Sequence, residues 1–421
     1  MLTKELMQDY IRLLREELVP AMGCTEPISI AYAVAKAKAV LGEEPLSGTL
    51  AVSANIVKNA KSVTVPHTGG MKGLAAAVAA GLLGNADGEL EVLSGLTDED
   101  VPTIRRLAES FPLEITVPEG CDIFDITVSL RSRAHTSCVR ICRTHTNIVL
   151  CQRDGESITV AKSEEEQAEA PRVKLSVEDI LEFANTVNVL DIKDVLTHQI
   201  EYNMAIAEEG LRGNWGASIG QVLLRAYQPD IKITAKAHAA AGSDARMNGC
   251  DLPVVINSGS GNQGITASVP VIVYARAMKL SEEKLLRALC VSNLITLHLK
   301  ADIGTLSAYC GAVSAGAGAG CGVAYLMGGG IDAVSHTLVN ALAIDSGIIC
   351  DGAKASCAAK IAMAVESGIL GYEMYCHGKE FVGGDGIVKK GVENTIHSIS
   401  SLAYNGMRET DKEIIRIMLE E

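Results

Sequence analysis

Apolar residues recur with a helical period at the start of the chain. The pattern predicts a helix over residues 3–18, because its apolar positions fall on one face. Those positions are Leu6, Tyr10, Ile11, Leu14 and Leu18. The segment V-P-A-M-G ends this helix, and a second helix is predicted from about Glu26 to Leu41.

The pattern changes between about residues 47 and 160, where short segments rich in β-branched residues alternate with helical patterns. Such segments predict strands. The strand-like segments are 48–57, 61–66, 113–118, 125–133 and 147–153, and the helical ones are 72–83 and 98–109. This block therefore predicts an α+β domain with a mostly antiparallel sheet.

Charged residues and a proline at 164–171 predict a linker. Beyond it the pattern is almost entirely helical, with glycine-rich interruptions at 258–264, 311–322 and 328–330. We therefore predict the fold class α+β, with a large all-helical C-terminal domain after the sheet-containing one.

Three domains follow from these boundaries. Residues 1–45 form N-terminal helices that pack on the helical domain, residues 46–170 form the α+β domain, and residues 171–421 form the helical domain. A chain of 421 residues is long enough for such a division.

Composition favours tightly packed helices. Hydrophobic residues make up 48% of the chain but aromatic residues only 4%, so small and aliphatic side chains must fill the core. The net charge of −14 argues against nucleic-acid binding. No segment has the roughly 20 consecutive apolar residues of a membrane span. The composition leaves a homo-oligomer open.

Twelve cysteines are scattered along the chain without the dense spacing of a secreted disulfide scaffold. The N-terminal segment is charged and amphipathic, unlike a signal peptide. We therefore expect a reducing, cytoplasmic location, where cysteines are core residues, metal ligands or catalysts.

The segment G-C-T-E-P at 23–27 joins the first two predicted helices. Thr25 is a suitable N-cap, which places Cys24 just before a helix N-terminus. The positive end of the helix dipole there favours a thiolate and predicts a lowered pKa for Cys24. A small buried residue at a helix junction is the alternative interpretation. Thr25 and Glu26 are candidate substrate-binding residues.

Two glycine-rich turns are further candidates. P-H-T-G-G-M-K-G at 66–73 runs from a predicted strand into a helix, where backbone N–H groups can hold a carboxylate or phosphate. N-S-G-S-G-N-Q-G at 257–264 follows an apolar segment and can surround a small zwitterion. A tight turn and a flexible connector are the alternatives. The candidate binding residues are His67, Thr68, Asn257, Ser258, Asn262 and Gln263.

The segment C-D-G-A-K-A-S-C places Cys350 and Cys357 at the ends of a short break in an apolar region. Thiolates are the usual protein ligands of iron–sulfur clusters, but two are too few. Spacing does not choose the third ligand among Cys290, Cys310 and Cys321, although Gly311 gives Cys310 the freest backbone. No C-x-x-C pair indicates a zinc ribbon or a thioredoxin site.

Together these segments resemble the L-cysteine desulfidase family (UPF0597 type), whose C-terminal half is similar to the alpha part of iron–sulfur L-serine dehydratases. The resemblance covers essentially the whole chain. Its motifs are G-C-T-E-P, P-H-T-G-G-M-K-G, N-S-G-S-G-N-Q-G, Y-C-G-A-V-S-A-G and C-D-G-A-K-A-S-C. The first and last are specific, whereas the glycine-rich ones alone are weak.

The resemblance implies that Cys310, Cys350 and Cys357 hold a [4Fe–4S] cluster and that Cys24 is the catalytic base. It further implies β-elimination of a small amino acid, L-cysteine, to sulfide, ammonia and pyruvate, with the open iron as a Lewis acid and without pyridoxal phosphate. Serine dehydratases carry a longer gap between their last two ligands and a Ser-Ser-His-Thr motif near the N-terminus. This chain has neither, which favours cysteine as the substrate.

Two alternatives stay open at this point. The same mechanism can act on L-serine or L-threonine. The three-cysteine site can instead be a redox or iron sensor that acts through a partner. A metal-free thiol enzyme is disfavoured, because no His–carboxylate arrangement in the sequence clearly supports Cys24.

Overall fold

The computed structural model describes residues 2–158, 173–304 and 306–420. The predicted linker at 164–171 lies outside the described residues. A sheet with helices on it occupies the first part, and helices form almost all of the second part. The predicted α+β class with a helical C-terminal part is confirmed.

The first part contains five α-helices among its described residues. Their bounds are α1 Lys4–Glu17, α2 Thr25–Leu41, α3 Ala54–Ala60, α4 Gly73–Gly81 and α5 Val101–Ser110. The predicted apolar face of α1 is buried at Tyr10, Ile11 and Leu14. The Thr3 hydroxyl caps the start of α1 by accepting the Leu6 N–H at 3.1 Å.

Six strands form one sheet in the order β3-β2-β4-β5-β6-β7. Their bounds are β2 Ser47–Val52, β3 Leu113–Thr116, β4 Asp125–Arg131, β5 Thr136–Cys142, β6 Ile148–Arg153 and β7 Glu156–Ser157. Only the β2–β3 pair is parallel among these six strands, so the sheet is mostly antiparallel as predicted.

Two predicted strands differ from the structure. The segment 48–57 continues as a strand only to Val52, because the Ser53 hydroxyl accepts the Ile56 N–H at 3.3 Å and begins α3. The segment 61–66 contains a single bridge, between Thr64 and Lys72, instead of a strand. Side-chain capping outweighed β-propensity at the first of these sites.

A short strand, β1 Pro20–Met22, pairs antiparallel with β8 Pro253–Val255 in the second part of the chain. The Ile256 N–H also donates to the Val19 carbonyl at 3.0 Å. This pairing brings the start of α2 beside the turn at 257–264. It also joins N-terminal residues to the helical part.

The second part contains eleven α-helices among its described residues. Their bounds are α6 Val177–Thr186, α7 Lys193–Arg212, α8 Ile219–Ala226, α9 Ile231–Met247, α10 Gly261–Ala277, α11 Glu282–Ala301, α12 Gly311–Leu326, α13 Ile331–Ile344, α14 Cys357–Cys376, α15 Val392–Ser401 and α16 Arg408–Leu419. The predicted interruption at 328–330 separates α12 from α13.

The predicted interruption at 311–322 is wrong, because these residues form most of α12. Its glycines instead permit close packing on α14. A Cβ atom on Gly316 would lie 2.3 Å from the Ala364 carbonyl oxygen, and one on Gly320 would lie 2.4 Å from that of Gly368. Burial of this helix–helix contact offsets the low helix propensity of glycine.

Buried residues of the sheet and of the helical part belong to one continuous hydrophobic cluster. The division at residues 45 and 170 therefore stays a prediction. Within the described ranges, no helix is both long and apolar enough to cross a membrane.

Candidate active site

Four cysteines from distant parts of the chain line one cavity of about 100 Å³. We call it the thiol cavity and define it by Cys24, Cys310, Cys350 and Cys357. A single water molecule needs a cavity of at least about 10–15 Å³, so this cavity has room for a molecule of several heavy atoms. Two larger clefts, of about 430 and 640 Å³, contain none of these thiols.

Cys24 occupies the N-cap position of α2 and is 2% exposed. Its Sγ donates to the Glu26 Oε2 at 3.0 Å. The Thr25 hydroxyl donates to the Gly259 carbonyl at 2.9 Å and lies 3.3 Å from the same Glu26 oxygen. Thr25 is therefore not the N-cap as predicted, because its hydroxyl fastens the helix start to the turn at 257–264.

The predicted lowering of the Cys24 pKa is also wrong. Burial raises the pKa of the Cys24 thiol well above its usual range, and the Glu26 carboxylate raises it further. The nearby Arg246 cation opposes this rise. Glu26 thus provides the carboxylate partner that the sequence did not reveal, two residues from the thiol.

A backbone bridge holds Cys310 beside Cys350. Tyr309 pairs antiparallel with Ile349. The Cys310 N–H donates to the Ile348 carbonyl at 3.2 Å, and the Cys350 N–H donates to the Ala308 carbonyl at 2.6 Å. Two cysteines 40 positions apart are therefore aligned by main-chain hydrogen bonds.

Cys357 is the first residue of α14, and Cys310 is the N-cap of α12. Each thiol thus lies at the positive end of a helix dipole, which favours a thiolate. The glycine contacts between α12 and α14 set the relative positions of these two helix starts.

The loop from Cys350 to Cys357 is braced at both sides. Gly352, at φ +92°, lies against the Lys58 carbonyl of α3, and a Cβ atom there would be 2.2 Å from that oxygen. Asp351 accepts from Lys354 at 2.5 Å and also from Lys360. Burial alone would raise the pKa of Asp351, but the two ammonium groups outweigh it and lower the pKa to about 2.

Cys310, Cys350 and Cys357 provide three thiols in one cavity lining, which is the donor type that iron–sulfur clusters take, and cluster binding by them stays a prediction. No group of three His, Cys, Asp or Glu residues in the described ranges could hold one metal ion. A cluster takes each thiolate on a different iron, so its ligands need not converge on one point. Burial and then the proximity of the Cys350 thiol raise the pKa of Cys310.

Arg246, at the end of α9, was missed by the sequence analysis. Its side chain lines the thiol cavity, is 2% exposed, and its Nε and Nη2 find no hydrogen-bond partner in the described residues. An unpaired buried charge destabilises the folded state by several kcal/mol. The favourable interaction of Arg246 with the C-terminal end of its own helix offsets only about 0.3–1 kcal/mol of this. One signal was available, since Arg246 follows a run of mostly small residues from Ala235.

Lys300 was also missed, and so was the buried His145, which lies behind the turn at 257–264 and outside the cavity lining. Lys300 lines the thiol cavity, and burial lowers its pKa to about 8 although the thiols of Cys350 and Cys310 oppose the shift. Burial likewise lowers the pKa of His145, whose Nε2 is buried without a hydrogen-bond partner in the described residues. His145 packs against Gly259, where a Cβ atom would lie 2.6 Å from the ring.

The turn at 257–264 divides into a supporting and a lining half. Asn257 is fully buried and its amide donates to the Asn293 Oδ1 at 2.9 Å, while the Ser258 hydroxyl donates to Asn257 at 2.9 Å. Asn262 and Gln263 line the thiol cavity, and their Oδ1 and Oε1 atoms find no partner in the described residues. Substrate binding by these residues stays a prediction.

His67 and Thr68 lie outside the cavity lining. The Thr68 hydroxyl donates to the Val65 carbonyl at 2.7 Å, and the His67 N–H donates to Asp251 at 3.0 Å. Pro66 of the same turn packs on Gly23, where a Cβ atom would lie 2.4 Å away. The turn thus supports the backbone before Cys24. Cys290 and Cys321, the other candidate ligands, are buried away from the cavity.

Known proteins with similar sequences extend over nearly all of this chain. Residues 87–416 match the family described as serine dehydratase alpha chain. A UPF0597 protein of Desulfitobacterium hafniense is 55% identical over 98% of this chain and 97% of its own length. Those of Lachnoclostridium phytofermentans and Treponema denticola are 49% and 44% identical, over 97% and 100% of this chain and 99% and 100% of their own lengths.

Proposed function

The chain belongs to the serine dehydratase alpha-chain family, and from its thiol cavity we propose that it is an iron–sulfur L-cysteine desulfidase. The reaction is a carbon–sulfur elimination that converts L-cysteine to sulfide, ammonia and pyruvate. One observation carries the proposal: Cys310, Cys350 and Cys357 line the same cavity as Cys24 and its partner Glu26.

Cys310, Cys350 and Cys357 would hold a [4Fe–4S] cluster. When bound by three protein ligands, such a cluster supplies one iron without a protein ligand, a Lewis acid for the departing sulfur. The protein's contribution is to hold the three thiols by the bridge between Tyr309 and Ile349 and by the start of α14.

Cys24 acts as the base in this proposal. Glu26 accepts the thiol proton through the 3.0 Å hydrogen bond, and the resulting thiolate takes the Cα proton of the substrate. The electron pair of the Cα–H bond forms the Cα=Cβ double bond, and sulfide leaves with the electrons of the Cβ–S bond. Aminoacrylate then tautomerises to an imine, which water hydrolyses to pyruvate and ammonia.

A dehydratase of L-serine or L-threonine is the second candidate, favoured by the description of the matched family. Only seven positions separate Cys350 from Cys357, and the resemblance associates this short gap with the cysteine-specific enzymes. A redox sensor would need the three cluster thiols, but it would not need Cys24 and Glu26 in the same cavity. This is why we propose catalysis.

The test uses protein purified without oxygen and reconstituted with iron and sulfide. We expect L-cysteine to yield pyruvate and sulfide in equal amounts, and L-serine to yield little pyruvate. If L-cysteine yields neither pyruvate nor sulfide, the desulfidase assignment is wrong. Pyruvate from L-serine alone would favour the dehydratase.

Variants separate the two groups of cysteines. We expect Cys24→Ala to abolish turnover while cluster absorbance remains, and Cys350→Ala or Cys357→Ala to remove the absorbance itself. Cys290→Ala, a buried cysteine outside the cavity, is the matched control and should change neither.

A further inference from the structure

Arg246 brings a positive charge to the wall of the thiol cavity and forms no ion pair with a described carboxylate. Its Nε and Nη2 atoms are buried and make no hydrogen bond to any described residue. No ion pair to a carboxylate within 4 Å involves it in the described ranges. A guanidinium presents its donors in a fixed fork that matches a carboxylate.

Glu26 is the carboxylate of the cavity lining that could have formed an ion pair with Arg246. Glu26 and Arg246 act in opposite directions on the pKa of His145, but the two side chains form no ion pair with each other. The Glu26 Oε2 is already occupied by the Cys24 thiol at 3.0 Å and the Thr25 hydroxyl at 3.3 Å. The fork of Arg246 therefore remains available to a ligand.

The backbone is shaped to admit Arg246. Its guanidinium lies against Gly261, the first residue of α10, where a Cβ atom would be 2.3 Å from Nε and 2.7 Å from Cζ. Any larger residue at 261 would displace the side chain. The glycine in G-N-Q-G thus positions a cation from a different helix.

Acceptors without partners lie beside this cation. The Asn262 Oδ1 and the Gln263 Oε1 are buried and accept no hydrogen bond from the described residues. Gln263 is held over Gly311, where a Cβ atom would lie 2.6 Å from its amide carbon. One buried cation and two free amide oxygens complement the carboxylate and the ammonium of an amino-acid zwitterion.

We propose that Arg246 binds the carboxylate of an α-amino acid substrate, with Asn262 and Gln263 accepting from its ammonium group. The proposal deepens the proposed function, because it states which group orients the substrate toward Cys24. It can be tested without turnover, since L-alanine has the same carboxylate and ammonium but no leaving group.

Binding of three ligands is measured by anaerobic calorimetry on the reconstituted protein. We expect L-alanine to bind about tenfold or more tightly than L-alaninamide, which lacks the carboxylate, since each charge-assisted hydrogen bond is worth about that factor. Propionate, which lacks the ammonium, should also bind more weakly. Equal binding of L-alanine and L-alaninamide, or no binding of L-alanine, would overturn the proposal.

Variants assign the effect to Arg246. Arg246→Met should weaken L-alanine binding until it equals that of L-alaninamide, and Arg246→Lys should keep part of the preference. Arg276→Met, at the exposed end of α10, is the control and should bind as the unmodified protein does. An unchanged preference in Arg246→Met would also overturn the proposal. If that variant does not fold, Arg246→Lys and the ligand series still decide.

The outcome is separable from that of the desulfidase assay. A protein that prefers L-alanine through Arg246 but releases no sulfide from L-cysteine would lose the proposed reaction and keep the carboxylate site. A protein that releases sulfide without this preference would lose only the role of Arg246.

Discussion

Cys24 is a buried thiol whose hydrogen-bond acceptor is a carboxylate two residues away. Its position at a helix start favours a thiolate, whereas burial and Glu26 favour the protonated thiol. The second pair of effects prevails, so the thiol must lose its proton before it can act as a base. Burial first, and then the Glu26 carboxylate, set its acidity against the helix dipole.

Glu26→Gln tests this balance. The substitution removes the carboxylate that raises the pKa of Cys24, so the pKa should fall. The pH at which kcat/KM for L-cysteine reaches half of its alkaline plateau should therefore move to a lower value, and the plateau itself should fall because the thiol proton loses its acceptor. Glu5→Gln, at the exposed start of α1, is a control outside the cavity lining. An unmoved profile would mean that another group controls the reaction.

Asp244→Asn tests a second buried carboxyl. Asp244 is fully buried, accepts the Gly220 N–H at 3.1 Å, and burial raises its pKa to about 6. A raised pKa means that the folded state binds the proton more tightly than the unfolded state. The stabilisation is present below about pH 4 and is lost as the pH rises through about 6.

We therefore expect the urea midpoint of the unmodified protein, relative to that of Asp244→Asn, to fall between pH 4 and pH 7. The exposed Asp98→Asn should show no such trend. A difference that is constant with pH would contradict the assigned titration.

At the scale of elements, close helix contacts and short backbone bridges place the thiols. α12 and α14 approach through glycines, and the bridge between Tyr309 and Ile349 aligns the remaining cysteine. Gly352 then lets the loop pass over the Lys58 carbonyl of α3. The glycine contacts depend on the absence of a side chain, whereas the bridge depends on main-chain hydrogen bonds.

Gly352→Ala should displace the loop that carries Cys350 and Cys357. The new Cβ would lie 2.2 Å from the Lys58 oxygen, in addition to the strain of φ +92°. Gly328→Ala is a matched control, because it has φ +88° but nothing within 4 Å, and it should show only the strain of about 1–2 kcal/mol. We expect iron content after reconstitution to fall by at least about half in Gly352→Ala alone. Equal iron content would show that the contact is not required.

At the scale of the whole molecule, helix α16 is tied to α3, against which the loop from Cys350 to Cys357 lies. The Lys58 Nζ is completely buried and donates to the Asp411 Oδ1 at 2.6 Å, and the Asn55 amide donates to Oδ2 at 2.8 Å. α3 also provides Asn59 to the cavity lining. The last helix of the chain thus supports a wall of the site.

Asp411→Ala should destabilise the protein by about 3–5 kcal/mol, because it leaves the buried Lys58 ammonium without its partner. Glu409→Ala removes an exposed partner of Lys412 on the same helix and should change the stability by less than about 1 kcal/mol. Chemical unfolding measures both. Similar losses of stability in the two variants would show that the buried Lys58–Asp411 pair contributes no more than an exposed pair does.

The sequence by itself determined the approximate positions of most helices and strands and the mostly antiparallel sheet. It also determined which four cysteines are candidates for the active site. These follow from local periodicity, from cap and turn residues, and from resemblance in short motifs. It misjudged 311–322, because glycine in a helix is explained only by the helix that packs on it. It misjudged the acidity of Cys24 for a related reason, since burial is not a local property.

Only the tertiary structure decided which groups share the cavity. Arg246 and Lys300 come from helices whose sequences carry no recognisable motif, and Glu26 became a partner of Cys24 through its side-chain direction. The physical reason is that the charge state of a buried group, and whether its hydrogen-bonding atoms have partners, depend on every neighbour within a few ångströms. Those neighbours are brought together by pairing of β1 with β8 and by close helix packing, at separations in sequence that local patterns do not encode.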